Sequence, residues 1–176
     1  MAKTRVNNLT EISGPVERQI VVGLGEIQIT SNTATVLTCI GLGSCIAIGA
    51  YDRLNRVGAL AHVVLPHWSG KVNEDPAKYA DSCVPLLLKG LITRGAVKAN
   101  LAIRLAGGAQ MSLAPGLADA FKTGERNLAE VKAALERENL SVAAAETGGN
   151  KGRTVRLYVS SGRFTVRCVG MEEKEI

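Results

Sequence analysis

An α+β domain is predicted from three features of the chain. Runs of β-branched and alternating residues crowd its two ends. Two stretches between them carry apolar residues at helical spacing, and no period of about 20 to 50 residues repeats as in a solenoid. With 176 residues the chain has the size of one domain. Its 46% hydrophobic content suffices for a core, and with only 3% aromatic residues that core has to be Val, Ile, Leu and Ala.

Residues 1–19 mix charge, Asn, Thr, Gly and Pro, and read as a flexible leader ahead of a domain over residues 20–170. Residues 20–25 form a short strand that ends in a Gly23-Leu24-Gly25 turn. No helix pattern and no Lys-Ser/Thr follow, so this is not read as a phosphate loop. Residues 26–30 alternate polar and apolar, as in a half-buried strand. Ser31-Asn32 is a turn, and residues 35–40 are a β-branched strand running into Gly41-Leu42-Gly43. Two apolar runs, one through Ile46, Ile48 and Tyr51 and one over residues 57–65, flank the polar turn Asp52-Arg53-Leu54-Asn55-Arg56. They read as a β-hairpin closed by Pro66.

Residues 67–77 are a polar loop containing His67 and Trp68. Val84, Leu87, Leu88, Leu91 and Ile92 mark a helix over residues 81–94; Pro85 suits only a first turn, so regular helix is expected from there to Gly95. Residues 101–105 are a strand that leads into Gly107-Gly108, either a tight turn or a close backbone approach. Residues 115–123 give no clear pattern. Leu128, Val131, Leu135 and Leu140 mark a second helix, with Asn127 as its expected N-cap and Glu130 three residues on. Residues 141–145 are a short strand, 147–153 a glycine-rich basic loop, and 154–160 with 163–169 a last hairpin. Residues 171–176 are charged and expected to fray.

The net charge of +5 would permit an acidic partner, but the basic residues are scattered and the few aromatics offer no stacking platform for nucleic acid. The four cysteines form no C-x-x-C and only two histidines exist, so no metal site is expected. No apolar run reaches membrane-spanning length and no signal peptide is recognised; a cytoplasmic location is the expectation, one that suits a free thiol.

The hairpin carries the candidate chemistry. Cys45 opens its first arm and His62 lies late in its second, so antiparallel pairing brings a thiol and an imidazole together. A neighbouring imidazolium favours the thiolate, which is the nucleophile, and the imidazole then moves protons. Gly41 and Gly43 allow amide groups beside the nucleophile to converge as an oxyanion nest, from Gly43, Ser44 and Cys45. The structural alternative is that Cys45 is a small buried hydrophobe and His62 a core histidine.

The segments Gly41-Leu42-Gly43-Ser44-Cys45, Tyr51-Asp52 and Ala61-His62-Val63-Val64-Leu65-Pro66 resemble the bacterial and archaeal chemoreceptor glutamine deamidases, the CheD family. Lys78-Tyr79-Ala80-Asp81, Ala106-Gly107-Gly108-Ala109-Gln110-Met111, Gly124-Glu125-Arg126-Asn127 and Thr147-Gly148-Gly149-Asn150-Lys151-Gly152-Arg153 continue the resemblance over about residues 20 to 170. It implies a single-domain layered α/β/β sandwich like that of toxin-type deamidases. It also implies glutamine side-chain deamidation on methyl-accepting chemotaxis receptors, with Cys45 as nucleophile, His62 as general base and acid, and no cofactor. The family has a Thr that supports the His; Thr38 and Cys39 compete for that position here. The resemblance implies the cytoplasmic helices of receptors as substrate and a CheC-type response-regulator phosphatase as partner. A weakly catalytic or non-catalytic regulator of that phosphatase, or a cysteine peptidase sharing the dyad, are the rival readings.

Overall fold

A computed structural model describes residues 17–110 and 122–176. Ten strands are described: β1 (Arg18–Val21), β2 (Ile27–Thr30), β3 (Thr35–Leu42), β4 (Ile46–Asp52), β5 (Val57–Val63), β6 (Leu101–Gly107), β7 (Val142–Thr147), β8 (Arg153–Tyr158), β9 (Arg163–Cys168) and β10 (Glu173–Glu175). The helices are α1 (Ala80–Thr93), between β5 and β6, and α2 (Thr123–Arg137), between β6 and β7. The strands make two five-stranded sheets, β1-β3-β8-β9-β10 and β2-β5-β4-β6-β7. The described residues therefore make a mixed α+β fold with two sheets and two α-helices. No helix among the described residues is long and apolar enough to cross a membrane.

Alternation along the β4–β5 hairpin divides the core. Ile46, Ile48 and Ala50 of β4 and Val57, Ala59, Ala61 and Val63 of β5 pack with Val84, Leu87 and Leu91 of α1 and Val131 and Leu135 of α2. The residues between them, Ala47, Tyr51 and Leu60, pack with Leu37, Val155, Leu157, Phe164 and Val166 of the first sheet. A strand with both faces buried has to be apolar throughout, and every residue of β4 and β5 is buried. Each fully buried Leu, Ile or Phe contributes about 1.5–3 kcal/mol of transfer free energy.

The hairpin turn is fixed by Asp52, fully buried at the end of β4. Its carboxylate accepts from the Leu54 and Asn55 amides, the Asn55 side chain and the Val97 amide at 2.8–3.1 Å. Burial pushes this carboxyl up, but the donors, Asn55 first, outweigh burial and hold it below the usual range.

Four expectations need correction. The first strand starts at Arg18, inside the expected leader, because it pairs in parallel with β3 from Arg18 opposite Thr35; the rest of that leader, residues 1–16, lies outside the described residues. Regular helix begins at Ala80, so Pro85 sits inside α1 on its exposed side and its ring meets solvent rather than core. The second helix begins at Thr123, which places Asn127 within it rather than at its cap. The tail does not fray: Glu173–Glu175 pairs with β9, Glu173 accepts from Thr165 and Arg156, and Lys174 binds Glu146 at 2.7 Å. Ion pairs of Glu173 with Arg156 and of Lys174 with Glu146, together with the Thr165 bond, hold a strand of three residues that are otherwise exposed. The unclear stretch over residues 115–123 falls mostly outside the described residues.

Candidate active site

His62 and Cys45 lie on the same face of the hairpin. Ala47 is directly opposite His62 in the β4–β5 ladder, so Cys45, two residues earlier, is its diagonal neighbour on the side that faces the first sheet. Cys45 packs against the apolar cluster between the sheets and remains half-buried, whereas His62 is only 3% exposed.

The imidazole is fixed from both ends. The His62 main chain is clasped by the turn before β2: its N–H donates to the Glu26 carbonyl at 3.0 Å and its carbonyl accepts from Gly25 N–H at 2.9 Å. Its Nδ1 stands 3.2 Å from the Val22 carbonyl. A carbonyl can only accept, so Nδ1 carries the proton and Nε2 carries the lone pair. Nε2 is buried and has no partner among the described residues. Burial holds the His62 pKa below 6.5; the Val22 carbonyl and Glu26 oppose this less strongly. The ring is thus a neutral imidazole with its basic nitrogen free.

The thiol departs from the sequence expectation. Burial pushes Cys45 above its ordinary value, and hydrogen bonding from its own backbone pulls it back only in part. The resting pair is therefore thiol and imidazole, not thiolate and imidazolium.

The loop before Cys45 has all its carbonyls engaged. Ala109 N–H donates to Gly43 O at 2.8 Å, the Asn127 carboxamide donates to Ser44 O at 3.0 Å, and Gly108 N–H donates to Cys45 O at 2.8 Å. Across trans peptides the Ser44 and Cys45 N–H groups point the opposite way. Gly107 explains the close approach: a Cβ there would lie 2.1 Å from the Cys45 carbonyl oxygen, and its φ is 117°. Of the two glycines expected to shape this loop, Gly41 takes a left-handed φ of 71° and Gly43 does not.

Thr38 and Cys39 occupy opposite faces of β3. Cys39 is fully buried in the cluster between the sheets, and burial, with Cys45 nearby, pushes its thiol far up. The Thr38 hydroxyl instead accepts from the Gln19 side chain at 3.2 Å. Thr38 reaches His62 only through the backbone: its carbonyl accepts from Val22 N–H at 2.8 Å, and the Val22 carbonyl holds His62.

Three contributors escape sequence reading. The Val22 carbonyl has no side-chain signature at all. Asn127, by its place before an apolar run, has the signature of a cap. Arg153, 5% exposed, donates to Gly148 O at 2.6 Å and to Gly107 O at 3.4 Å. Its guanidinium binds the glycine-rich loop to the Gly107 turn that cradles Cys45; only its place in the Thr147–Arg153 motif hinted at this. His67 stays in its loop, within 3.6 Å of Asp81 and 3.7 Å of Glu130. Trp68 is 38% exposed, its N–H bound to Asp81. Among the described residues no group of three His, Cys, Asp or Glu side chains converges as metal ligands would.

A family model described as CheD chemotactic sensory transduction matches residues 64–168. A protein of Symbiobacterium thermophilum named Probable chemoreceptor glutamine deamidase CheD is 41% identical over 157 residues, 88% of this chain and 95% of its own. Proteins of the same name from Clostridium kluyveri and Clostridium botulinum are 39% and 37% identical. They cover 90% and 87% of this chain and 98% and 94% of their own. Among solved structures, the Bacillus licheniformis hypothetical protein YfiH matches with a TM-score of 0.38 at 11% identity. That match covers 78% of this chain, which spans 60% of the YfiH chain; the likeness is too slight to carry an argument. Relatives aligned over nearly nine-tenths of the chain take in the whole hairpin as well as the later motifs: this chain belongs to the CheD family.

Proposed function

We propose that this protein hydrolyses the side-chain amide of glutamine residues on the cytoplasmic helices of chemotaxis receptors, giving glutamate and ammonia. The observation that carries the mechanism is the His62 imidazole. Its tautomer is set by the Val22 carbonyl, and its Nε2 is free on the face it shares with Cys45. Nε2 takes the Cys45 proton as sulfur attacks the amide carbon, so the thiolate forms only when substrate is present. The N–H groups of Ser44 and Cys45, opposite their engaged carbonyls, receive the oxyanion, with Gly43 held in place by its carbonyl's bond to Ala109 N–H. The tetrahedral intermediate collapses as His62 protonates the departing ammonia and leaves a thioester. Water deprotonated by His62 then opens the thioester, restoring the thiol and releasing glutamate. Thr38 supports the base through its carbonyl and Val22 N–H, and Cys39 through packing between the sheets. The helix, sheet, sheet order of the two core clusters supports a layered α/β/β sandwich of the toxin-deamidase kind, and a cytoplasmic setting follows from the substrate.

The test is a receptor cytoplasmic fragment incubated with wild-type and Cys45→Ala protein. Ammonia release and the amide-to-acid mass change are expected only with wild type; equal conversion by both would refute the assignment. The upward push on the Cys45 thiol favours a second reading, a weakly catalytic regulator that docks a CheC-type phosphatase. Wild type that binds the phosphatase yet leaves receptor glutamines intact would establish it.

A further inference from the structure

We infer that Asn127 is a positioning residue of the reaction: its carboxamide clamps together the two hairpin arms that carry the nucleophile and the base. This rests on the deamidase reading for its kinetic consequence but not for its geometry. Asn127 sits in the second turn of α2, on the side of the hairpin opposite the thiol and imidazole, and is completely buried. Its Nδ2 donates one hydrogen to Ser44 O at 3.0 Å and the other to Val64 O at 2.9 Å. Those carbonyls lie just beyond the last β4–β5 pair, Ile46 with Val63. Ladder bonds between the strands stop there, and a side-chain amide supplies the next cross-link. Both partners are acceptors, so the orientation of the carboxamide is unambiguous.

The consequence for chemistry is local. Ser44 O is held by Asn127, which fixes the plane of the Ser44–Cys45 peptide and with it the direction of the Cys45 N–H. Val64 is two residues past His62, so the same amide fixes the strand that carries the base. The cost is visible as well: Asn127 Oδ1 is buried without a donor among the described residues. An orphaned buried acceptor destabilises the folded state. An apolar side chain would avoid that cost, so the clamp is what the amide provides.

The test compares wild type, Asn127→Ala, Asn127→Asp and Asn127→Ser with Leu135→Ala as control. Leu135 is buried on the same helix but touches only the apolar core. Three quantities are read: kcat and KM on a receptor fragment, the pH profile of Cys45 alkylation by iodoacetamide, and hydrogen exchange over residues 44–46 and 63–65. Asn127→Ala is expected to lose about ten- to hundredfold in kcat with KM within about twofold, the scale of small misplacements of reacting groups. Asn127→Asp, of equal size but setting carboxylate against two carbonyls, should lose at least as much, and Asn127→Ser, with one donor, less. Each should alter the alkylation profile and speed exchange in both segments. Leu135→Ala should lower the melting temperature and leave kcat and the profile unchanged. The inference is overturned if the folded Asn127 variants keep wild-type kcat and alkylation, or if Leu135→Ala shifts them equally. Should Asn127→Ala not fold, the serine variant answers the same question. Absence of ammonia release from wild type would remove the deamidase reading, while alkylation and exchange would still test the clamp.

Discussion

His62 shows how an imidazole is set by its surroundings rather than by its neighbours in sequence. One oxygen, the Val22 carbonyl, selects the tautomer and leaves Nε2 basic. Burial keeps the ring neutral, and the sign of the resulting pH dependence follows. A folded-state pKa below 6.5 means that the unfolded chain binds this proton more readily. Stability from the neutral ring is present above 6.5 and is lost as pH falls toward the folded value. Thermal unfolding of wild type and His62→Gln between about pH 8 and about pH 5 should therefore differ in slope, the wild type losing more on acidification. Parallel curves would show that the ring charges freely in the folded protein.

At the scale of elements, the hairpin is held at its two ends by different means. The closed end depends on Asp52, whose carboxylate gathers three backbone amides and one side-chain amide. Asp52→Ala should lower stability by roughly 2–4 kcal/mol in urea unfolding, because those donors lose a charged acceptor. The hairpin itself was legible in the sequence, since two β-branched and small apolar runs around a polar turn admit few other structures. So were both helices, from apolar spacing, and the common face of Cys45 and His62, from strand arithmetic. Less legible were places where one residue has two uses. Asn127 carries the signature of a cap, yet two carbonyls at the open end of the hairpin draw its side chain inward. The direction of the Cys45 shift was also hidden, because it depends on how much of the sulfur the first sheet covers. The charged tail has the composition of a fray, and only its neighbours across space, Arg156, Thr165 and Glu146, make it a strand.

Across the whole molecule, the proposed Cys45–His62 dyad belongs to one sheet and the oxygen that orients the imidazole comes from the chain leaving the other. β1, which delivers Val22, is a four-residue strand at the border of its sheet, paired with β3 alone. Edge segments of this kind open at lower free energy than central strands. When β1 lifts away, the imidazole is released to rotate and exchange tautomers while both sheets persist. Heating should therefore silence the protein before it melts: ammonia release is expected to fall off several degrees below the circular-dichroism midpoint, and coincident curves would rule this out. The short first strand then acts as a latch, and the enzyme's working range is set by the hold of one border strand rather than by the endurance of its core.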